Sequence, residues 1–190
     1  MNILITGVNG FVGSFIRKSL DTKFNVFGIS RSSSEPSDKN YILDLSVAAE
    51  IEDFIRADKS QRQFDVIIHL ASVMASANNL GDLKVLETNA EITKNTISLA
   101  KHFGVKHVVN FSSTSVYSNV DGLYKEDSLT DPSKNADCIY GLSKLNNEVL
   151  LNYFFAKSDA VVTHLRCGMI FSEAMDSTRI YPVLKKELLE

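Results

Sequence analysis

Residues 1–20 read MNILITGVNGFVGSFIRKSL, with Gly7, Gly10 and Gly13 falling between an apolar run and an amphipathic one. Ile3 to Thr6 have the pattern of a short buried strand, and Phe11, Val12, Phe15, Ile16 and Leu20 recur at helical spacing. The glycines therefore sit on a strand-to-helix turn. Glycine there lets a ligand approach the backbone with no Cβ in the way, and the helix N-terminus behind it offers unpaired N–H groups and a positive dipole end. The chemical match is the pyrophosphate of a dinucleotide. The alternative is a tight turn that only packs a helix on a strand, and the surrounding pattern has to decide between the two. The spacing is G-x-x-G-x-x-G, not the G-x-G-x-x-G of the best-known dinucleotide fingerprint.

Outward from this turn, apolar runs alternate with helical patterns, which predicts an α/β fold on a parallel sheet. Strands are expected at Phe24–Ser30, in YILDLS ending at Asp44, in FDVIIHLAS, in KHVVNFSS and in AVVTHLRC. Helices are expected over Val47–Ala57, Leu83–Phe103 with Gly104 as its stop, and Tyr140–Phe155. The polar stretch RSSSEPSDKN and residues Thr114 to Asp137 read as loops. No solenoid repeat and no interior linker divides the chain.

With 190 residues, 44% hydrophobic content and a net charge of −3, the composition is that of one globular domain. The charge gives no reason to expect nucleic acid or an anionic membrane as partner. No apolar stretch reaches membrane-spanning length, and the polar start is unlike a signal peptide. Cys138 and Cys167 are the two cysteines and have no metal-ligand spacing, so no metal is expected and a reduced, cytoplasmic setting is the default.

Ligands of open parallel sheets bind beyond the carboxyl ends of the strands. The fifth strand ends in Ser112 and Ser113, and YGLSK follows on the next helix, where Tyr140 and Lys144 share a face. A neighbouring ammonium and a cationic nicotinamide ring would favour the tyrosine phenolate, and a serine hydroxyl could share a proton with a substrate oxygen. Taken singly, each of these is an ordinary helix pair or strand-end hydroxyl. Their joint order behind a glycine turn favours catalysis by Ser113, Tyr140 and Lys144.

TGVNGFVG, FSSTSVY and YGLSK together resemble the extended short-chain dehydrogenase/reductase family, in its NAD-dependent epimerase/dehydratase branch acting largely on nucleotide sugars. The resemblance runs from Met1 to about Phe171. It implies a Rossmann-like doubly wound parallel sheet and an NAD(P)-binding domain over 1–171. Residues 172–190 would begin a substrate-binding region, most of which is expected to be missing from the chain. It implies that Gly7, Asn9, Gly10, Phe11, Val12 and Gly13 lie along the pyrophosphate, and that Asp44 and Leu45 hold the adenine. Leu70, Ala71 and Ser72 would pass the adenosine and ribose, with Asn89 on the long helix. Ser113 aligns with the catalytic serine or threonine, Tyr140 with the acid/base, and Lys144 with the residue that binds the nicotinamide ribose and lowers the tyrosine pKa. Arg166, Cys167 and Gly168 would pass the nicotinamide.

Other readings of single residues stay open. Asp44 can cap the following helix, Asn89 can bond a loop, and His69 reads as a strand-end residue satisfied by backbone. The chain also departs from the family pattern, with Ser118 after Tyr117 where glycine is usual and CGMIFSE after Arg166. Thr114 and Ser115 stand where dehydratases of the branch carry acidic residues, which tilts toward an epimerase or ketoreductase. The second strand ends in Ser30, Arg31 and Ser32 with no carboxylate before Glu35, which favours NADP over NAD because arginine accommodates a 2′-phosphate. The expected substrate is a nucleotide sugar and the expected assembly a homodimer through the two long helices. The competing reading is a non-catalytic NAD(P)-binding sensor or scaffold module.

Overall fold

A computed structural model describes residues 1–32, 38–74 and 82–172. Six parallel strands form one sheet: β1 (Asn2–Thr6), β2 (Asn25–Ser30), β3 (Asn40–Ile42), β4 (Val66–His69), β5 (His107–Ser113) and β6 (Val161–Cys167), in the order β3-β2-β1-β4-β5-β6. The helices are α1 (Phe11–Leu20), α2 (Ala48–Ala57), α3 (Lys84–His102) and α4 (Cys138–Phe155). From β1 the chain first moves outward through β2 and β3, then returns to β4 and proceeds the other way. Right-handed crossovers in opposite directions put helices on opposite faces and open a crevice where the order reverses, between β1 and β4.

The core divides accordingly. Ile3, Ile5, Val26 and Ile68 pack with Ile16 and Leu20 of α1 on one face. On the other, Leu4, Phe27, Ile67 and Val108 meet Ile51 of α2, Leu99 of α3 and Leu151 of α4. Strands buried on both faces read as unbroken apolar runs, which is why β1 and β4 stand out in the sequence. One row interrupts the pattern: Thr6, His69, Asn110 and His164 are register partners across β1, β4, β5 and β6.

Several boundaries differ from expectation for local reasons. β3 stops at Ile42, because Asp44 turns its carboxylate back to accept from the N–H and hydroxyl of Ser46. β4 stops at His69, because the N–H groups of Leu70 and Ala71 donate to the Thr6 hydroxyl instead of a strand ladder. The stretch expected as plain loop after β5 holds two short 3₁₀ turns, Thr114–Val116 and Pro132–Lys134, capped by the side chains of Ser113 and Asp131. Residues 33–37 of the polar segment before β3, and residues 173–190 of the expected substrate-binding region, lie outside the described residues.

Candidate functional site

The glycine turn packs α1 close to the strand, and Gly7 and Gly10 line the cleft in front of it. Gly7 has φ 69°, and a Cβ on it would stand 2.9 Å from the backbone nitrogen of Ala71. Gly13 lies under the turn, where a Cβ would collide with the Gly7 carbonyl oxygen, so its contribution is close packing of α1 on the strand. Gly10 caps α1 with no side-chain hydrogen bond, which leaves first-turn N–H groups facing the crevice.

In front of the turn is a cleft of about 370 Å³. Its walls bring together Gly7, Asn9 and Gly10 from the turn, Ser30, Arg31 and Ser32 from the end of β2, Asp44 and Leu45 after β3, and Leu70, Ala71 and Ser72 after β4. Asn9 ties two of these walls by donating to Ser30 Oγ at 3.1 Å and to the Ser32 carbonyl at 2.8 Å. Burial tends to raise the Asp44 pKa, but hydrogen bonds from Ser46 and the Arg31 charge outweigh it and hold the carboxyl below its ordinary value. Phe11, Val12, Gly13 and Asn89 do not line the cleft. Asn89 lies behind its wall, accepting from Val73 N–H at 2.7 Å and donating to the Val73 carbonyl at 3.0 Å.

Ser113, Tyr140, Lys144 and Cys167 form a second group beside the cleft. Ser113 ends β5 opposite Cys167 of β6, and its oxygen accepts from the N–H of Ser115 at 3.1 Å. Tyr140 and Lys144 project from one face of α4, with Lys144 Nζ 5.6 Å from the Tyr140 ring centre and donating to the Phe111 carbonyl at 3.1 Å. Ser72 joins the two regions, since it lines the cleft and its side chain acts on the Tyr140 phenol, favouring the phenolate. Gly168, just past β6, is exposed.

Burial governs the electrostatics of this group. It pushes the Tyr140 phenol up to about 12, against the Ser72 side chain, which favours the phenolate. It lowers the Lys144 ammonium to about 8, with the Cys167 charge opposing. The Cys167 thiol is raised, again by burial first, with Lys144 opposing. The lowered tyrosine pKa expected from the Lys144 charge is therefore not what the protein groups alone produce. Desolvation wins because the phenol is partly buried while Lys144 spends a hydrogen bond on Phe111.

The model of the NAD dependent epimerase/dehydratase family matches residues 3–189. The chain belongs to that family. Among curated relatives it is 24% identical to the N-acetyl-alpha-D-glucosaminyl-diphospho-ditrans,octacis-undecaprenol 4-epimerase of Escherichia coli O157:H7, over 97% of this chain and 53% of that protein. It is 26% identical to the uncharacterized UDP-glucose epimerase YtcB of Bacillus subtilis, covering 100% of this chain and 63% of the relative. The structure of MoeE5 in complex with UDP-glucose and NAD superposes with a TM-score of 0.78 at 26% identity, over 97% of this chain and 60% of the other. The fold is shared as well with Bacillus cereus UDP-glucuronic acid 4-epimerase in complex with NAD, at a TM-score of 0.76, 22% identity, and coverage of 100% and 62%. The chain spans about half to three fifths of the length of these relatives.

In this epimerase/dehydratase family member a further set of residues backs the site, and the sequence reading passed over it. Arg166 does not face the cleft. It binds Glu148 through Nε at 3.1 Å and a terminal nitrogen at 2.8 Å, and gives its other terminal nitrogen to the Tyr117 hydroxyl at 2.7 Å and the Glu126 carbonyl at 3.1 Å. Ser112 donates to Glu148 on the same side. Glu148 is one helical turn beyond Lys144, so its spacing could have revealed it. Among the described residues no group of three or more His, Cys, Asp or Glu is placed to hold a metal, and no helix is long and apolar enough to cross a membrane.

Proposed function

We propose that this chain carries the dinucleotide-binding and proton-transfer parts of an NAD(P)-dependent nucleotide-sugar epimerase or ketoreductase. The observation that carries the reading is Ser72, which touches both the cleft and the Tyr140 phenol and so puts the two where one extended ligand can meet both. The uncapped α1 N-terminus suits a pyrophosphate, and the Asp44 carboxylate on the opposite wall suits an adenine amino group. Lys144 is assigned to the nicotinamide ribose. When bound, the nicotinamide supplies a reversible hydride acceptor. Tyr140 exchanges the proton of a sugar hydroxyl, and Ser113 Oγ holds that oxygen in place. MoeE5, in complex with UDP-glucose and NAD, supports a nucleotide sugar, and the Escherichia coli relative named above, a 4-epimerase of a sugar joined through diphosphate to undecaprenol, shares the diphosphate-linked sugar.

Calorimetric titration with NAD and NADP, followed by a panel of nucleotide sugars with cofactor absorbance as readout, tests the reading. Turnover supports it. Failure to bind either cofactor removes the proposal.

Within this reading NADP is the preferred cofactor. Arg31 lies on the rim beside Ser30 and Ser32 and is exposed, free of the desolvation that would oppose an ionic hydrogen bond to a 2′-phosphate. Arg31→Ala is expected to weaken NADP by about 10–100-fold, the worth of a charged hydrogen bond, and to leave NAD nearly unchanged. Equal affinity for the two cofactors, or an NAD preference unaltered by the substitution, would count against it.

The active assembly is proposed to be a homodimer through the long helices. Leu142, Val149 and Tyr153 recur on one face of α4 and are 41%, 57% and 76% exposed. The neighbouring α3 offers mainly polar side chains to solvent, including Lys84, Glu87 and Lys94, so α4 supplies the apolar stripe. Sedimentation equilibrium at micromolar concentration should show dimer, and Val149→Glu should yield monomer. A wild-type monomer throughout that range rejects the assembly.

A further inference from the structure

His69 ends β4, is 2% exposed, and has no part in the proton chemistry proposed above. It is not satisfied by backbone, as the sequence suggested, but by hydroxyls from two other elements. The protons in this cluster can be assigned one by one. Thr6 Oγ1 accepts from the N–H groups of Leu70 at 3.1 Å and Ala71 at 3.2 Å, which occupies both of its lone pairs. Its single proton is left for His69 Nδ1, at 2.9 Å. Thr96 Oγ1 also approaches Nδ1, at 3.3 Å, but gives its own proton to the Ile92 carbonyl at 2.8 Å. Nδ1 is therefore an acceptor. The ring proton belongs on Nε2, which faces Thr93 Oγ1 at 3.2 Å.

We propose that His69 is a positioning residue, fixed as the neutral Nε2–H tautomer, which orients the Thr6 hydroxyl and thereby clamps residues 70–72 between the glycine turn and Tyr140. Its functional consequence rests on the dinucleotide reading above; the tautomer and the clamp do not. The clamp has a defined course. Thr6 holds Leu70 and Ala71, and the Ala71 nitrogen abuts Gly7 of the turn. Ser72 comes next, on the side of the Tyr140 phenol, whose phenolate its side chain favours. Val73 is strapped by Asn89, which donates to Ser143 Oγ at 3.1 Å, while Ser143 donates to the Tyr140 carbonyl at 2.8 Å. The segment is thus held at one end by β1 and at the other by the helix that carries Tyr140.

A second ring proton at Nδ1 would leave the Thr6 proton without its acceptor and would point at a Thr6 oxygen whose lone pairs are filled, with Thr96 Oγ1, at the longer 3.3 Å, as its other partner. Around the ring β1 presents Thr6, α3 presents Thr93 and Thr96, β5 places Asn110 beside it in register, and α4 contributes the Lys144 charge, which repels an imidazolium. Burial and that charge together push the His69 pKa down to about 3.

Long-range ¹H–¹⁵N NMR of the labelled chain, with the His69 signals assigned by their loss in His69→Asn, reads the tautomer directly. The expected result is an Nε2–H ring unchanged between about pH 5 and 8. An Nδ1–H ring, or one that titrates in that interval, overturns the assignment. Amide hydrogen exchange at Leu70 and Ala71 reads the clamp. His69→Leu leaves the Thr6 proton without its acceptor, and these two amides should then exchange about tenfold faster or more. His69→Asn keeps a carbonyl oxygen near the position of Nδ1 and should restore most of the protection. Equal protection in all three proteins, or equal loss in both variants, rules out a clamp set by the Nδ1 acceptor. Should His69→Leu not fold, Thr6→Val removes the same hydroxyl and is expected to expose the same two amides; unaltered exchange there has the same negative meaning. Cofactor affinity should follow amide protection across the variants. A wild-type chain that binds neither cofactor would defeat the dinucleotide reading while the NMR and exchange results still decide this one.

Discussion

Tyr140→Phe is expected to lower turnover by about 10²–10⁴-fold, the usual worth of a positioned general acid–base, while cofactor affinity stays within a few-fold. The substitution deletes one hydroxyl and leaves the ring that fills the space beside Lys144. The phenol at about 12 is protonated at neutral pH, so in the proposed reaction the protein alone favours the direction in which a carbonyl is reduced and its oxygen protonated. The opposite direction needs the phenolate, and the positive charge of an oxidised nicotinamide is the term that can favour it. Lys144→Ala should harm both steps, because its ammonium is assigned to the ribose as well as to the tyrosine. The Lys144 charge is present below its pKa of about 8 and lost above it, so cofactor affinity should decline as pH rises through that value. Steady-state rates and calorimetric titration of each variant check these outcomes, and a Tyr140→Phe enzyme with undiminished turnover would remove Tyr140 from the mechanism.

How far the sequence could be read depended on the range of the interaction involved. The turn from Thr6 to Phe11 was legible because its glycines, strand and helix are contiguous. Ser113, Tyr140 and Lys144 were singled out because their spacing matches a family pattern, and the structure puts Tyr140 and Lys144 on one face of α4. Ser113 was picked over Ser112 by the family pattern, and alternation along β5 sends Ser112 inward to Glu148 while Ser113 bonds Ser115. Arg166 was expected beside the nicotinamide, whereas the β5–β6 register pairs it with Ser112 and so turns it toward Glu148. His69 was misread for the same reason: Thr6 and Thr93 are distant in sequence, and no local spacing announces that they meet around one ring. The 3.6-residue repeat did hold a usable signal in Lys144 and Glu148, which lie four apart on the buried face of α4.

Arg166→Leu is expected to destabilise the chain by about 3–5 kcal/mol, the cost of stranding a buried charge by removing its partner. Glu148 is the inner member of the pair, with its side chain 5% exposed against 22% for Arg166. In the wild type, burial raises the Glu148 pKa but the hydrogen bonds from Arg166 and Ser112 outweigh it and hold it below the ordinary value. Its contribution to stability is therefore present at neutral pH and lost as pH falls through that lowered pKa. Without Arg166 the balance reverses. Burial then holds Glu148 above the usual carboxylate range, the unfolded chain ionises more readily than the folded one, and the penalty is largest at neutral pH and shrinks on acidification. Replacing Glu148 as well, as Glu148→Leu in the same chain, removes the stranded charge, so the double variant should be more stable at neutral pH than Arg166→Leu alone. Denaturant unfolding of the three proteins at neutral and at acid pH measures this directly. A single variant that loses less than about 1 kcal/mol, or a double variant no more stable than the single one, would mean that the pair is solvated in solution. The site feels the same change, because Ser112 and Tyr117 flank Ser113 and both are bound by this pair. Loosening them moves the one hydroxyl assigned to hold the substrate oxygen, so any residual turnover in Arg166→Leu should fall more than its cofactor affinity does.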